Sequence, residues 1–255
     1  MSEPLKKARD HQTVHQETVA RVVASLQPVR RLWSLRWRLA VWALLEVAVL
    51  LYALHNTRRT DLEQQMQNPW YLLGVGGFVL AGSLGAALAL RSAIPGREPR
   101  AVQSVLLIVL ALGSALLILR EPFTANLLVT TFIKKGMPCA QGIVVLAAVP
   151  WVALIWAVRR GAPLSPSFAG AFIGVAAFLT SFAFMRLRCP IDEGAHLLVW
   201  HLLPALVGIG LSAWVGLLCS DAERIVGTLS NADRHYLTTH FTKQHCRKST
   251  AMGLE

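Results

Sequence analysis

Residues 70–90 read WYLLGVGGFVLAGSLGAALAL, an uncharged run set between Pro69 and Arg91. A helix needs about 20 predominantly apolar residues to cross the hydrocarbon core of a bilayer, and this run has that length without a single charge. Its small residues fall four apart, at Gly77, Ala81 and Gly85, a ridge that lets neighbouring backbones approach closely in lipid. Similar ridges occur at Gly170 and Gly174 and at Gly208, Ser212 and Gly216. Working outward, five more stretches share this character, at 38–54, 102–119, 142–158, 168–185 and 196–219. The expected fold class is therefore all-α: a polytopic membrane protein with about six transmembrane helices, short loops and cytoplasmic N- and C-terminal segments. Three regions follow, a cytoplasmic leader over 1–37, a transmembrane domain over 38–219 and a cytoplasmic tail over 220–255.

Composition supports the same solvent. Of 255 residues, 54% are hydrophobic and 15% charged, with mean hydropathy +0.48, whereas soluble domains carry about 25% charge. The formal charge of +11 is carried by short Lys and Arg runs between apolar blocks, which orient helices and do not build a nucleic-acid groove. An even number of spans puts both termini on one side. Lys and Arg divide 18 to 7 in favour of that side, so the positive-inside rule makes the termini cytoplasmic in a bacterial inner membrane. The first apolar block begins near Leu39, behind a long polar leader, and reads as an anchor and not as a cleavable signal. Breakers punctuate the connectors: Ile94-Pro95-Gly96, Gly161-Ala162-Pro163 with Pro166, and Cys189-Pro190.

The four cysteines are Cys139, Cys189, Cys219 and Cys246, without CxxC spacing. The topology puts Cys139 in the second outer loop and Cys189 in the third, facing an oxidising compartment, where they are the natural disulfide pair. Lys134 and Lys135 precede the first, Arg186 and Arg188 the second, and cations favour thiolate. A permanent staple and a sensor are both open readings. A soft metal held by the two thiolates, with help from Asp192, Glu193 or His196, is a thin third one, and no metal ligand or cofactor is assigned.

In the leader, Val19, Val22, Val23 and Leu26 form an i, i+3, i+4, i+7 stripe ending before Pro28. It offers an apolar helix face to a cytoplasmic partner, ahead of a basic and Trp-rich stretch, Arg30 to Arg38, suited to the membrane surface. The alternative is an interfacial helix lying on lipid. Glu46 and His201 are ionisable residues within spans, a functional signal by default, and would serve a small transporter. One acid and one imidazole make a poor translocation path, and structural contacts are expected instead. His235, His240, His245 and Cys246 in the tail match no compact metal site. No Gly-rich phosphate loop, catalytic carboxylate pair, Ser/His/Asp set or HExxH occurs, so no catalytic residue is assigned and the chain is not expected to be an enzyme.

Several fragments, taken in order, resemble the NrsF family, negative regulators of sigma-F type extracytoplasmic-function sigma factors. They are Pro28-Val29-Arg30-Arg31-Leu32, Cys139 followed by Pro150, Arg159-Arg160-Gly161-Ala162-Pro163 with Pro166, Ala169-Gly170, Cys189, and Trp200 with His201. The sequence departs from the family pattern at Arg188, where a His is usual, and in a longer tail over 220–255. The resemblance implies a six-helix membrane anti-sigma factor that holds an extracytoplasmic-function sigma factor and touches lipid but no nucleic acid directly. Val19, Val22, Val23, Leu26, Arg30 and Arg31 would carry partner binding, and Cys139 and Cys189 would sense oxidant or heavy-metal stress. The competing classes are the transporter using Glu46 and His201 and a membrane thiol oxidoreductase.

Overall fold

The computed structural model describes residues 33–218 apart from 57, 95, 124–128, 162 and 164. The leader positions Val19, Val22, Val23, Leu26, Arg30 and Arg31, and the whole tail, lie outside the described residues. Within them every regular element is helical: α1 Leu35–Asn56, a short α2 Leu62–Gln65, α3 Pro69–Ser92, α4 Ala101–Leu116 with a 3₁₀ turn Leu117–Arg120, α5 Val129–Arg159, α6 Pro166–Arg186 and α7 Gly194–Leu218. Six of these are long and apolar enough to cross a membrane. Local chemistry starts them where expected. The Asn68 side chain accepts from the Trp70 N–H at 3.0 Å with Pro69 in the first turn of α3, and Pro166 opens α6. Gly96, at φ 76°, supplies the left-handed turn between α3 and α4 that only glycine adopts freely.

α6 is the central helix, buried almost continuously from Ala176 to Arg186. It packs most extensively against α3 and next against α5. The small-residue ridges explain how. A Cβ on Gly85 would stand 3.0 Å from Val175 Cγ1 and 3.1 Å from the Phe172 carbonyl oxygen and the Ala176 nitrogen. On its other side α6 meets α7, where a Cβ on Gly174 would lie 2.8 Å from Ile209 Cα and 2.9 Å from Ser212 Cβ. Ser212 Oγ donates to the Gly170 carbonyl at 2.6 Å and accepts from Trp151 Nε1 at 2.9 Å, so one hydroxyl joins α5, α6 and α7. Such polar links and close backbones replace the hydrophobic drive that lipid does not provide. The outward faces are apolar instead: Leu44, Val47 and Leu51 of α1 and Val105, Ile108, Val109 and Leu112 of α4 are exposed.

Aromatic and basic residues mark both ends. The Arg120 guanidinium lies 4.0 Å over the Trp70 ring at one end, and that of Arg160 lies 3.5 Å over Trp156 at the other, as an interfacial belt requires. Arg38, near the start of α1, donates through Nη2 to the Ala157 carbonyl of α5 at 2.7 Å and through Nη1 to the Leu90 carbonyl of α3 at 3.4 Å. A cation thereby closes two helix C-terminal ends, where the dipole favours positive charge.

One expectation needs correcting. Cys139 is not in a loop but a residue of α5, which begins at Val129 and not near Gly142. The 31 residues of α5 extend about 46 Å at 1.5 Å per residue, well beyond a hydrocarbon core of about 30 Å. Its first turns, with Lys134 and Lys135, therefore need no apolar character, and an apolar-run criterion starts the helix too late.

Candidate functional site

At the end of the bundle where α5 starts and α6 finishes, the two cysteines meet. α6 closes with backbone bonds from Arg188 and Cys189 N–H to the Met185 carbonyl, the latter at 2.9 Å. Pro190 stops it there. Cys189 Sγ consequently faces Cys139 Sγ at 3.6 Å, both free thiols and both buried. The Cys139 thiol donates to the Cys189 sulfur, and that hydrogen bond, followed by the one to the His196 ring, holds Cys189 below the ordinary thiol range against the opposing effect of burial. His196 Nε2 lies 3.5 Å from Cys189 Sγ. His201 completes the group, and one ligand atom from each of the four residues lies within 4.8 Å of the others.

The two imidazoles come together through an irregularity in α7. Residues five apart on an α-helix point about 140° away from each other at 3.6 residues per turn. Leu197–Leu202 instead form a π-helical turn, in which hydrogen bonds run i→i+5 and the fifth residue falls one turn on. His196 and His201 thus share a face, with ring centroids 5.2 Å apart. Aromatic rings wall the group: Phe132 stands edge-on to His196 at 6.5 Å, Phe182 edge-on to His201 at 5.8 Å, and Trp200 packs on Phe132 at 5.7 Å. Gly136 makes room for the Trp200 indole on α5, where a Cβ would collide with it. His201 is fully buried, and neither of its ring nitrogens has a hydrogen-bond partner among the described residues.

The loop carrying Cys189 is fixed by charge. Asp192 accepts from Arg59 Nη2 at 2.6 Å and from Arg186 Nη2 at 3.0 Å. Arg59 also forks onto Asp61 at 2.7 and 2.8 Å, and Arg186 reaches Glu121 at 2.9 Å. Both guanidinium groups stand over the Tyr71 ring, whose hydroxyl donates to the Arg186 carbonyl at 2.8 Å. Arg59 holds the Asp61 carboxyl down to about 2, and its two carboxylate partners raise Arg59 in turn against burial. The Gly194 N–H closes the arrangement on the Pro122 carbonyl at 2.9 Å. The α1–α3 loop, the end of α4 and the Cys189 loop are thereby tied to one another.

The structure brings together the pair named from sequence, Cys139 and Cys189, and adds His196 and His201. Asp192, weighed earlier as a helper of the thiols, is engaged by two arginines instead, as is Arg186 by Glu121 and Asp192. Glu46 and His201 belong to different surroundings: Glu46 is buried and accepts from Thr180 Oγ1 at 3.3 Å, while His201 stands with the cysteines. The Arg59–Asp192–Arg186 network had no sequence signal, since Arg59 lies 133 residues from Asp192 and meets it only through folding.

No curated protein and no solved structure matches the chain. The family model described as NrsF, negative regulator of sigma F, matches residues 22–219, from within the leader through all six long helices and all four residues of the cluster. A match over that much of a 255-residue chain leaves one conclusion: the chain belongs to the NrsF family of negative regulators of sigma F.

Proposed function

We propose that this protein is an anti-sigma factor of the bacterial inner membrane, with both termini cytoplasmic. Its leader holds an extracytoplasmic-function sigma factor and releases it when Cys139 and Cys189 meet oxidant or heavy-metal stress. The observation that carries the reading is the pair of buried free thiols in contact at 3.6 Å, at the bundle end opposite Arg38. A disulfide needs about 2.05 Å between sulfurs, so oxidation brings the two sulfurs closer by more than an ångström, and whatever part side-chain rotation does not supply shifts α5 against the Cys189 loop. With a peroxide as oxidant, the two thiols give up two protons and two electrons, one S–S bond forms, and the O–O bond breaks to yield two waters from hydrogen peroxide, or one water and one alcohol from an alkyl hydroperoxide. The same α5 ends beside Arg38, which bonds Ala157 immediately after the leader. A displaced helix therefore has a route to the leader's anchor, provided the two bundle arrangements differ in affinity for the sigma factor. The family consists of regulators and is not a known family of enzymes.

The test is affinity purification of the solubilised protein, with a small sigma factor expected to co-purify from reduced cells. Val22→Asp with Val23→Asp should abolish this, because unpaired carboxylates in a partner groove cost several kcal/mol, about a hundredfold or more in affinity. Replacing both Cys139 and Cys189 by Ser should leave abundant, inhibitory protein and a regulon that no longer responds to oxidant or metal. Constitutive expression with depleted protein would identify the cysteines as a structural staple.

A further inference from the structure

We propose that Cys139, Cys189, His196 and His201 are a complete four-ligand site for a borderline-soft divalent cation of the zinc class. The inference rests on the reading of Cys139 and Cys189 as the sensing pair and names the chemistry they sense with. Geometry is the first argument. Tetrahedral zinc has Zn–S bonds of about 2.3 Å and Zn–N bonds of about 2.0–2.1 Å, which put ligand atoms about 3.4–3.8 Å apart along the tetrahedron's edges. The observed Cys139–Cys189 and Cys189–His196 separations are 3.6 and 3.5 Å, and no pair among the four exceeds 4.8 Å.

The second argument is His201. A fully buried imidazole with neither nitrogen bonded among the described residues is costly unless something occupies it. The π turn of α7 points the same way, since π-bulges gather at functional sites and this one exists where it aligns His196 with His201. Charge is the third. A divalent cation displaces one proton from each thiol and binds two thiolates and two neutral imidazoles, giving a net neutral complex that an aromatic-walled, water-poor pocket tolerates. With no oxygen donor in the set, hard magnesium and calcium are disfavoured, while S₂N₂ suits zinc and its thiophilic competitor cadmium. Four protein ligands leave no open position, so the site holds its ion for regulation or structure and not for hydrolysis. Because both thiolates bind the ion, a loaded site and a disulfide exclude each other.

The full-length protein in detergent, reduced and stripped by a chelator, should bind cobalt(II) at one equivalent per chain. The expected spectrum has the intense ligand-field bands of tetrahedral cobalt with a thiolate charge-transfer band, both abolished by added zinc. X-ray absorption of the zinc form should show two sulfur and two imidazole scatterers, a measurement that needs no variant. His201→Gln and His196→Gln should each weaken zinc binding by more than the ten- to hundredfold typical of losing an outer-shell partner, yet still form the Cys139–Cys189 disulfide with peroxide. Zinc should also protect both thiols of the parent protein from peroxide. Octahedral cobalt, absence of imidazole scattering, or undiminished affinity in both His variants would overturn the site. Oxidant-dependent sigma release by protein that takes up neither cobalt nor zinc when offered them sinks this site alone. Stoichiometric metal without a co-purifying sigma factor sinks the anti-sigma reading and leaves the site standing.

Discussion

Replacing Asp192 by Asn should expose Cys189. Asp192 bridges two guanidinium groups whose side chains are only 1% and 3% exposed, and it stands three residues beyond the thiol. Breaking a buried ion pair costs about 3–5 kcal/mol when its partner is left uncompensated. Here each arginine keeps a second carboxylate, Asp61 or Glu121, and the Asp192 side chain is itself 18% exposed, so the low end, about 3 kcal/mol, applies. At 1.4 kcal/mol per factor of ten, the open population of the 187–193 loop should rise on the order of a hundredfold. Maleimide labelling of Cys189 in the reduced, solubilised protein, followed by peptide mass spectrometry, reads that population when reclosing outpaces labelling. Asp61→Asn is the control. Its carboxylate is 38% exposed and forms an ion pair with Arg59 but not with Arg186, so labelling should rise by about tenfold at most. A labelling rate for Asp192→Asn within threefold of the parent, in protein that stays folded, would refute the idea that this carboxylate clamps the cysteine loop.

Acid should loosen the same end. The Asp61 carboxyl titrates at about 2 in the folded protein against about 3.9 unfolded, so its contribution is intact above pH about 4 and is lost as pH falls toward 2. A stability profile flat across that window in the parent, measured against Asp61→Asn, would contradict it. Gly85→Leu should separate α3 from α6, because even a Cβ meets α6 backbone atoms at 3.1 Å; overpacking costs about 1–3 kcal/mol, and a melting temperature equal to the parent's would count against that close approach. Glu46→Gln should keep sigma inhibition and leave thermal stability unchanged or raised, since Glu46 Oε2 is a buried acceptor without a bonded partner among the described residues. Loss of inhibition in stable Glu46→Gln protein would give that carboxylate a role it is not assigned here.

The bundle was legible because lipid imposes a simple rule on sequence: uncharged runs of about twenty residues must be helices with satisfied backbones. Residues 70–90 obey it, and so does the observed α3. The start of α5 escapes that rule because its first turns, with Lys134, Lys135, Gly136 and Pro138, break the apolar pattern while the helix continues. For the site, Cys139 and Cys189 are paired in the sequence by the compartment expected of both, and the structure brings their sulfurs into contact. His201 could not be joined to them, since in sequence it is an isolated imidazole five residues from His196, a spacing no regular α-helix brings together. The carboxylate clamp was invisible for a different reason: Arg59, Asp192, Arg186 and Glu121 are unremarkable loop and helix-end charges until α3, α4 and α6 gather their ends.

The π turn of α7 also makes chain length, as distinct from residue identity, a determinant of the site. A π-bulge is an α-helix holding one surplus residue, so deleting Leu198 should let the turn relax to ordinary i→i+4 bonding with residues 203–218 still facing as before. Ser212 would keep its hydroxyl on the Gly170 carbonyl, and the bundle would assemble. The two imidazoles, now four apart in number, would be offset by a full residue against the cysteines, because one of them must move along the helix axis by about 1.5 Å and turn with it. A frame-preserving deletion of a leucine outside the cluster would then shift one ligand against the cysteines and weaken the site, although the i, i+4 pair it leaves is itself a spacing that binds zinc.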